Sequence, residues 1–490
     1  MTPAIFKAGY LPGLSDAEVT WHRLRVGAPG ALVEVDVPLL SAEQMTTLAQ
    51  RVQIASQTHL KTMPVSDIVN VLDQATARLL DAKDSYRQQL ERLLPLVTGF
   101  DAEMVRLNLN AYLQTFRGLQ LRRFVAEDFA NPKLLDEFQP RPQGGWTQAF
   151  GPDLLIHVWA GNVPALPMWS WISALLVKAG SIGKVASAEP VFASLLARLL
   201  AELEPRWADC FAVVWWPSGA GHERTAFALA DTVLAYGGNE ALQAMQAHIP
   251  VTTRFLPHGH KLSFGMVSAA ALSAHKGPEV ARQAALDVAR YDQQGCYSPH
   301  VFYVQRGGRV SPQEFAQHLA HELAGLQHKL PRRVLSLEES AQIGAWREAH
   351  ELASLTAHAT TPATHQVLGG DSALFTVVFS ERLVPLAAGP LNRCVLVVAV
   401  DSLEDVMPLV APQRRYLQTV GLAAAPEELL HLGQSLGRIG VTRICALGAM
   451  TSPEAGWHHD GRFSLLDLVR MVDIEASTER DAERFTTYEV

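Results

Sequence analysis

Four cysteines are spread over the 490-residue chain, and one of them lies in a segment suited to nucleophilic chemistry. Cys296 stands in YDQQGCYSPH, between a predicted helix and a predicted strand, where a loop side chain can face a cleft. Cys210, Cys394 and Cys445 lie in or beside apolar strand patterns, which is typical of inert core thiols. From context alone, a catalytic and a structural role for Cys296 are equally open. Catalysis would require its pKa to be lowered from about 8.5 by a backbone dipole or a nearby cation.

Two predicted strand-to-helix turns carry residue types suited to holding a ligand. Asn162, in VWAGNVPALP, lies at the carboxyl edge of a predicted parallel sheet, where its amide could donate to an oxyanion. Gly237 and Gly238, in TVLAYGGNEAL, would let a cofactor approach the backbone, and the helix that follows suits an anionic group. Taken alone, Asn162 more often satisfies its own turn, and the glycine pair is equally well explained as a simple connection.

These turns belong to a stretch in which predicted strands and helices alternate. Short apolar runs are followed repeatedly by helical periodicity, which implies right-handed βαβ units and a parallel sheet covered on both faces. This alternation predicts a doubly wound nucleotide-binding domain. The strands are predicted at 154–159, 183–186, 211–216, 232–236 and 253–256, and the helices at 165–179, 190–204, 221–230 and 239–248.

The regions on either side differ in character. About the first 140 residues have a mostly helical pattern, with a capping box at Ser41 and Gln44. A second α/β stretch occupies the C-terminal half and lacks internal repeats. Its helices are predicted to start near Pro278, Ser311 and Ser336, and its strands are predicted at 300–304, 374–379, 394–400 and 441–447.

The composition excludes several classes of protein. Lysine and arginine total 41 against 49 acidic residues, and the resulting charge of −8 disfavours binding to nucleic-acid phosphates. Four cysteines without a CxxC pair disfavour a disulfide framework and a thiolate zinc site, and they favour a reducing cytoplasm. Residues 154–177 are long enough to span a bilayer, but their asparagine and prolines predict a buried strand, turn and helix instead. We therefore expect no transmembrane or targeting segment.

Five short segments, taken together and in order, carry a family resemblance. They are AGNVPALP (160–167), AYGGNEAL (235–242), PHGHKLSFG (257–265), DQQGCYSPH (292–300) and WHHDGR (457–462). From about residue 90 to 475 the chain resembles the LuxC-type acyl-CoA reductases, which belong to the aldehyde dehydrogenase superfamily. These are the fatty-acid reductases of bacterial bioluminescence systems and their non-luminous relatives. The segments DQQGCYSP and GHKLSFG are specific to this reductase branch.

The resemblance implies an aldehyde dehydrogenase-like α/β fold. It comprises a doubly wound parallel-sheet cofactor domain, an α/β catalytic domain and a small oligomerisation element. The segment QGGWTQAF (143–150) resembles the strand that pairs subunits in the superfamily, so we expect a homo-dimer or tetramer. The implied boundaries are a helical N-terminal part at 1–137, an oligomerisation strand at 138–152, the Rossmann-like cofactor domain at 153–260, the catalytic domain at 261–450 and a C-terminal contact segment at 451–490.

The resemblance also implies a role for each matching residue. Cys296 falls at the position of the nucleophile, and Asn162 falls where a side chain and the cysteine's backbone N–H form an oxyanion hole. Gly237 and Gly238 fall where the turn passes the cofactor diphosphate. The further cofactor-binding residues that it implies are Lys184, Ser187, Glu189 and Gly259.

Glu189 bears on the choice of cofactor. It falls near the carboxylate that contacts the adenosine ribose in many members of the superfamily. Ala186 stands where a lysine usually precedes that carboxylate by three positions, so Lys184 is the candidate substitute. The LuxC type implies NADPH as the cofactor. A carboxylate at Glu189 would repel a 2′-phosphate, which keeps NADH open as the alternative.

One departure from the superfamily pattern favours thioester chemistry. Hydrolytic aldehyde dehydrogenases carry a water-activating glutamate where this chain has Pro257 and His258. An acyl-enzyme that must be reduced gains from the absence of activated water. The general acid of such a reaction is not evident from the sequence, and His258, His260 and His300 are the candidates.

Three functions are open at this stage. The first is NAD(P)H-dependent reduction of an acyl-CoA or acyl-protein thioester to the aldehyde, through an acyl-cysteine intermediate on Cys296. The second is a CoA-acylating aldehyde dehydrogenase that works in the oxidative direction. The third is a non-catalytic subunit of an acyl-transfer complex, because LuxC-type enzymes are associated with acyl-protein synthetase and acyl-transferase partners. The presence of Cys296 and Asn162 argues against the third.

No metal site is predicted. His458 and His459 are followed by Asp460, which suggests metal ligands. Adjacent side chains on a strand point to opposite faces, however, and no third ligand lies nearby in sequence. A structural or subunit-contact role is the favoured interpretation.

Overall fold

Two parallel sheets dominate the structure, a computed structural model that describes residues 4–219, 221–358, 364–370 and 373–485. One sheet has five strands and the other has seven, and two three-stranded sheets accompany them. Apolar side chains from both faces of each large sheet pack into separate cores. This arrangement confirms the predicted α/β class.

The N-terminal part is less uniformly helical than the sequence pattern predicts, because it also contains a small sheet. Its strands are β1 (Phe6–Lys7), β2 (Thr20–Val26) and β3 (Val33–Leu39). Charged residues in β2 and β3 interrupt the apolar pattern that would reveal a strand. The capping box at the start of the first helix is confirmed. The helices are α1 (Ala42–Ala55), α2 (Val65–Leu80), α3 (Ser85–Thr98), α4 (Ala102–Gln114) and α5 (Gly118–Asp128).

The five-stranded sheet has the predicted doubly wound topology. Its strands are β6 (Leu154–Val158), β7 (Gly180–Lys184), β8 (Phe211–Val214), β9 (Thr232–Tyr236) and β10 (Arg254–His258). They are parallel and run in the order β10-β9-β6-β7-β8. The chain thus adds β7 and β8 on one side of β6, and it then returns to add β9 and β10 on the other side of β6. The helices between them are α6 (Pro167–Leu176), α7 (Phe192–Leu203), α8 (Glu223–Leu229) and α9 (Asn239–Gln246).

The boundaries in this sheet differ from the predicted ones mainly at β7. It begins at Gly180, three residues before the predicted start. Its first two residues, glycine and serine, do not show the apolar pattern that predicts a strand, although the whole strand is buried. Residues 154–177 form a buried strand, a turn and a buried helix, as predicted. Across the described residues, no helix has both the length and the apolar character needed to span a membrane.

The seven-stranded sheet has the order β13-β14-β15-β12-β11-β16-β17 and is parallel except for β13. Its strands are β11 (Leu262–Val267), β12 (Pro299–Gln305), β13 (His365–Leu368), β14 (Thr376–Ser380), β15 (Cys394–Val400), β16 (Leu417–Ala423) and β17 (Arg443–Ala446). The helices are α10 (Lys276–Ala289), α11 (Pro312–Lys329), α12 (Leu337–His358), α13 (Val406–Val410) and α14 (Pro426–Arg438).

Two neighbouring strands of this sheet, β11 and β16, are absent from the sequence prediction. Each carries an interior glycine, which weakens a strand pattern. A Cβ on Gly265 would lie 2.1 Å from the ring of Phe302, and one on Gly421 would lie 2.6 Å from the sulfur of Met450. The glycines therefore reflect close packing that only the tertiary structure reveals.

A three-stranded antiparallel sheet joins the middle of the chain to its end. Its strands are β4 (Gln139–Pro140), β5 (Trp146–Phe150) and β18 (Arg470–Ile474), in the order β18-β5-β4, and the short helix α15 (Ala476–Ala482) follows. Trp146 and Met471 expose 38% and 44% of their surface, which is high for large apolar side chains. The predicted subunit-pairing segment thus forms a strand, and one large apolar residue on it and one on the neighbouring β18 are exposed.

Candidate active site

A cavity of about 290 Å³ lies where the two large sheets meet. The loops after β6, β9 and β10 enter it from the carboxyl edge of the five-stranded sheet, which is where such sheets bind ligands. The starts of β12 and β16 face it from the other sheet. The predicted residues that line this cavity together are Asn162, Gly237, Gly238, Gly259 and Cys296.

The Cys296 loop, residues 290–298, is built on unusual backbone. Tyr291, Asp292 and Gln293 have φ angles of 47°, 49° and 65°, in the left-handed region that glycine usually occupies. Each such residue costs of the order of 1 kcal/mol, so surrounding contacts must hold the loop in place. Gln293 supplies one of these contacts, since its Nε2 donates to the carbonyls of Pro299 and Cys394.

A second left-handed segment holds the first. Leu391, Asn392 and Arg393 have φ angles of 60°, 55° and 68°. The backbone N–H of Asn392 donates to the carbonyl of Asp292 at 3.0 Å. The guanidinium of Arg393 binds the carboxylate of Asp292 at 2.7 Å, and both side chains are buried. The shape of the Cys296 loop therefore depends on a segment about 100 residues later in the chain.

Cys296 itself is half-buried, and its carbonyl accepts a hydrogen bond from Ser263. Burial and then the charge of Asp460 raise the pKa of its thiol to about 11. A hydrogen bond with the side chain of Gln418 and the charge of Lys261 oppose this rise without overcoming it. The lowered pKa that nucleophilic activation requires is thus not found, and the thiol needs a base to accept its proton.

Asn162 is tied to the Cys296 loop rather than to its own turn alone. Its Nδ2 donates to the carbonyl of Gln294 at 2.6 Å, across 132 residues of chain. The amide group carries a second N–H that this bond does not use. The side chain is exposed at the cavity, so this second N–H suits an oxygen on an acyl group attached to Cys296.

The Gly237–Gly238 turn fits the diphosphate of a nicotinamide cofactor. A Cβ added to Gly238 would meet no atom within 4 Å, so the backbone faces open space at the cavity wall. Gly238 is the N-cap of α9, which directs unpaired backbone N–H groups toward the turn. At Gly259 a side chain is excluded by a protein contact instead, since a Cβ there would lie 2.8 Å from Oδ1 of Asn239.

The other predicted cofactor residues lie at the end of β7 and just after it, outside the wall of this cavity. Lys184 is buried, and burial lowers its pKa while the charge of Glu223 opposes the change. Ser187 accepts a hydrogen bond from Nε1 of Trp215, which lines a separate cavity of about 240 Å³. The loops after β6 and β7 touch, because a Cβ on Gly161 would lie 3.0 Å from that of Ala186.

Glu189 closes the N-terminus of α7. Its Oε1 accepts hydrogen bonds of 2.8 Å from the backbone N–H groups of Val191 and Phe192. Burial raises the pKa of its carboxyl group to about 7, although both backbone bonds oppose the rise. At pH 7 the carboxyl group is therefore partly protonated. The remaining negative charge is stabilised by the N-terminus of α7.

The sequence reasoning missed a group of side chains around Asp460. Oδ2 of Asp460 lies 2.8 Å from Nδ1 of His258, and Oδ1 accepts a 2.7 Å hydrogen bond from Nε2 of Gln418. Nζ of Lys261 is 3.7 Å from Oδ1. Burial raises the pKa of Asp460, but the bond from His258 and the neighbouring positive charges hold it well below its ordinary value. The sequence carried two signals for Asp460, the family segment WHHDGR and its position after two histidines, and neither indicated its contacts with His258 and Gln418.

The interpretation of His458 and His459 as adjacent residues on a strand is wrong. Residues 459–461 form a 3₁₀ turn with Asp460 at φ 55°, so that His459 and Asp460 both approach His258. Ligand atoms of these three residues lie within 4.8 Å of one another. A metal ion would have to compete with Lys261 for Asp460 and with the His258 hydrogen bond, so the geometry favours a hydrogen-bonded network.

The three histidines considered as general acids differ sharply in their surroundings. His258 pairs with a carboxylate. His300 is buried, its Nδ1 accepts the backbone N–H of Gly389, and burial lowers its pKa to about 4, so it is neutral at pH 7. His260 is exposed at the rim of the cavity.

The fold is of the aldehyde dehydrogenase type. The structure superimposes on the aldehyde dehydrogenase KauB from Pseudomonas aeruginosa with a TM-score of 0.73 and 12% identity, covering 96% of each chain. Aldehyde dehydrogenase 21 from Physcomitrella patens gives a TM-score of 0.72 and 12% identity, over 97% of this chain and 99% of that one. At such low identity these similarities establish the fold.

The family follows from the sequence comparisons. The family model of the acyl-CoA reductase (LuxC) matches residues 60–471, and the chain belongs to this family of oxidoreductases. It is 26% identical over 423 residues to a long-chain acyl-protein thioester reductase of Photorhabdus laumondii, covering 85% of this chain and 83% of the relative. The reductase of the same name from Aliivibrio fischeri is 28% identical over 419 residues, covering 84% and 82%. The protein is therefore an enzyme of the acyl reductase type with a nicotinamide cofactor.

Proposed function

We propose that this enzyme reduces a long-chain acyl thioester, carried by CoA or by a protein, to the aldehyde through an acyl-cysteine on Cys296. One observation supports this most strongly: Cys296, Asn162 and the Gly237–Gly238 turn line a single cavity between the two sheets. A nucleophile, a donor for an acyl oxygen and a diphosphate turn are the parts that such a reduction requires.

The first step is an exchange of thioesters. The sulfur of Cys296 bonds to the acyl carbonyl carbon, and the bond between that carbon and the carrier sulfur breaks. The carrier leaves as a free thiol and takes up the proton that Cys296 loses. Because one thioester replaces another, the step is close to thermoneutral. In this step the protein has to position the thiol and to provide an acceptor for its proton.

The second step places negative charge on the acyl oxygen. When bound at the Gly237–Gly238 turn, a nicotinamide cofactor supplies the hydride for the reduction. The amide of Asn162 and the backbone N–H of Cys296 then donate to the negatively charged oxygen. One such donor typically contributes about 3–4 kcal/mol, or 10²–10³ in rate. Re-formation of the carbonyl group releases the aldehyde and the Cys296 thiolate.

The surroundings of Asp460 favour reduction over hydrolysis. A carboxylate near an acyl-cysteine can activate water, which would convert the thioester to an acid. Both oxygens of Asp460 are already engaged, one by His258 and the other by Gln418 and Lys261. The carboxylate itself is thereby kept from activating water.

NADPH is the cofactor that we propose, with NADH as the alternative to be tested beside it. A fully charged carboxylate at Glu189 would repel the 2′-phosphate of NADPH. Its raised pKa of about 7 and its position against the N-terminus of α7 reduce that repulsion. These features weaken the objection to NADPH, and the preference for NADPH rests on the family.

We also propose that the chain assembles as a homo-dimer or tetramer through the segment 138–152. The exposed Trp146 on β5 and Met471 on the paired strand β18 support this surface. The proposed domain boundaries follow the sheets, with the cofactor domain at 153–260 and the catalytic domain at 261–450.

The test is to incubate the purified chain with myristoyl-CoA and either NADPH or NADH, and to measure aldehyde and free thiol. Cys296→Ser should abolish both products and the acyl adduct seen by mass spectrometry. Cys445→Ser is the matched control, because that thiol is also half-buried but lies on β17, outside the cavity. Full activity of Cys296→Ser would refute the covalent scheme, and preferential oxidation of aldehydes would favour the CoA-acylating alternative.

A further inference from the structure

We propose that His258, oriented by Asp460, accepts the proton of the Cys296 thiol and returns it to the thiol that leaves during acylation. This inference rests on the proposed function and adds a proton carrier to it. It identifies His258 as a catalytic residue and Asp460 as a positioning residue.

The geometry connects these residues in one network. Asp460 holds Nδ1 of His258 at 2.8 Å and is joined through Gln418 to the thiol of Cys296. A carboxylate that accepts from Nδ1–H leaves Nε2 of the ring as the proton acceptor. His258 and Cys296 both line the same cavity, so the acceptor and the thiol share the space that an acyl group would enter.

The ring of His258 is fixed in its plane by its neighbours. It stacks on Tyr236, with ring centroids 4.8 Å apart, and on His459 at 4.4 Å. Burial lowers the pKa of His459 to about 3, so that ring is neutral at pH 7 and does not compete for the proton. Burial also keeps the pKa of Tyr236 above its ordinary range. The charged groups that face the network are thus Lys261 and Asp460.

The need for a carrier comes from the thiol. Burial and Asp460 keep Cys296 protonated at pH 7, and a protonated thiol is a poor nucleophile. A positive charge on His258 after proton transfer would offset Asp460 and stabilise the thiolate. The S–H bond of Cys296 breaks and His258 takes the proton, the sulfur replaces the carrier sulfur on the acyl carbon, and His258 protonates the departing thiolate.

The leaving group provides the sharpest test. Acylation of the purified enzyme, without any cofactor, is followed by rapid quenching and intact-mass spectrometry, first with octanoyl-CoA and then with the thiophenyl ester of octanoic acid. His258→Gln should slow acylation by octanoyl-CoA about 10²–10³-fold at pH 7. The defect should be at least about tenfold smaller with the thiophenyl ester, whose acidic thiol leaves without a proton. Equal defects with both esters would overturn the assignment.

Asp460→Asn separates positioning from a structural effect. Removing this negative charge should lower the pKa of Cys296, because the carboxylate raises it now. Alkylation by iodoacetamide at pH 8 should therefore become faster, while acylation by octanoyl-CoA becomes slower. Loss of the local structure would also expose the thiol and speed its alkylation, because burial is the first cause of its raised pKa. It would, however, slow acylation by both esters equally, whereas loss of positioning should slow acylation by the thiophenyl ester less. Acylation as fast as in the unmodified enzyme would contradict the role of Asp460.

The matched control is His248→Gln. His248 also pairs with a carboxylate, Glu223, with Nδ1 and Oε1 3.1 Å apart, but neither residue lines the cavity. Its acylation rate should equal that of the unmodified enzyme. If the unmodified enzyme forms no acyl-Cys296, the proposed function itself fails. If it acylates normally and His258→Gln does so equally fast, only the role of His258 fails.

Discussion

Asp292 and Arg393 form an ion pair of 2.7 Å whose side chains are 0% and 1% exposed. The pair joins two left-handed segments that are strained separately, one leading to Cys296 and the other leading to β15. Nη2 of Arg393 also donates to the carbonyl of Leu330 at 2.6 Å, so the guanidinium links the Cys296 loop to the end of α11. The loop's geometry is therefore maintained by a buried charge pair.

Replacing Arg393 with methionine should destabilise the protein by about 3–5 kcal/mol, because Asp292 would keep an uncompensated buried charge. The measurement is the denaturation midpoint in urea. Arg282→Met is the matched control, since Arg282 pairs with Glu279 on the surface, and it should cost under about 1 kcal/mol. Comparable losses of stability in the two variants would show that burial does not increase the contribution of the Asp292–Arg393 pair.

Asn162→Ala should slow aldehyde formation by about 10²–10³-fold, because one donor to the negatively charged oxygen is lost. The acyl-Cys296 adduct should still form, but more slowly, because acylation also passes through a tetrahedral oxyanion that Asn162 would stabilise. Aldehyde release and adduct mass are measured on the same sample. Asn70→Ala, which removes an exposed amide bonded to Arg122, serves as the control. Loss of the adduct together with the aldehyde would point instead to collapse of the Cys296 loop.

Gly238→Ala should weaken cofactor binding at least about tenfold while leaving the thermal midpoint unchanged. The new methyl group meets no protein atom, but it would occupy the space facing the turn. Calorimetric titration with NADPH and NADH measures the effect. Gly344→Ala, also in open space but on α12, should not change binding. Unaltered cofactor affinity in Gly238→Ala would show that the cofactor diphosphate does not bind at this turn.

Glu189 should make stability depend on pH. Its pKa of about 7 in the folded protein exceeds the ordinary value of 4.5, so the native state binds its proton more tightly than the unfolded state. The stability that it contributes is complete below pH 4.5 and is lost as the pH rises through 7. Relative to the unmodified protein, Glu189→Gln should therefore gain stability between pH 5 and pH 8.

Unfolding midpoints of both proteins across that range test this prediction. Asp287, whose pKa burial also raises to about 7, is present in both, so the difference between them isolates Glu189. A difference that does not change with pH would show that Glu189 titrates normally.

The sequence by itself determined the α/β class, the doubly wound order and the segments around Cys296, Asn162 and the Gly237–Gly238 turn. These follow from local periodicity and from the rule that parallel sheets bind ligands at their carboxyl edge. The turns after β6 and β9 meet because those strands are neighbours in the sheet.

Only the tertiary structure decided which groups surround the thiol and how its loop is held. His258 and Asp460 are 202 residues apart, and Arg393 lies 101 residues from Asp292. Gln418 lies on β16, whose glycine and polar residues obscure a strand pattern. Such partners meet through packing between separate elements, and short-range patterns contain no information about that packing. The four cysteines therefore indicated where the chemistry is, while contacts between distant parts of the chain determine the thiol's pKa.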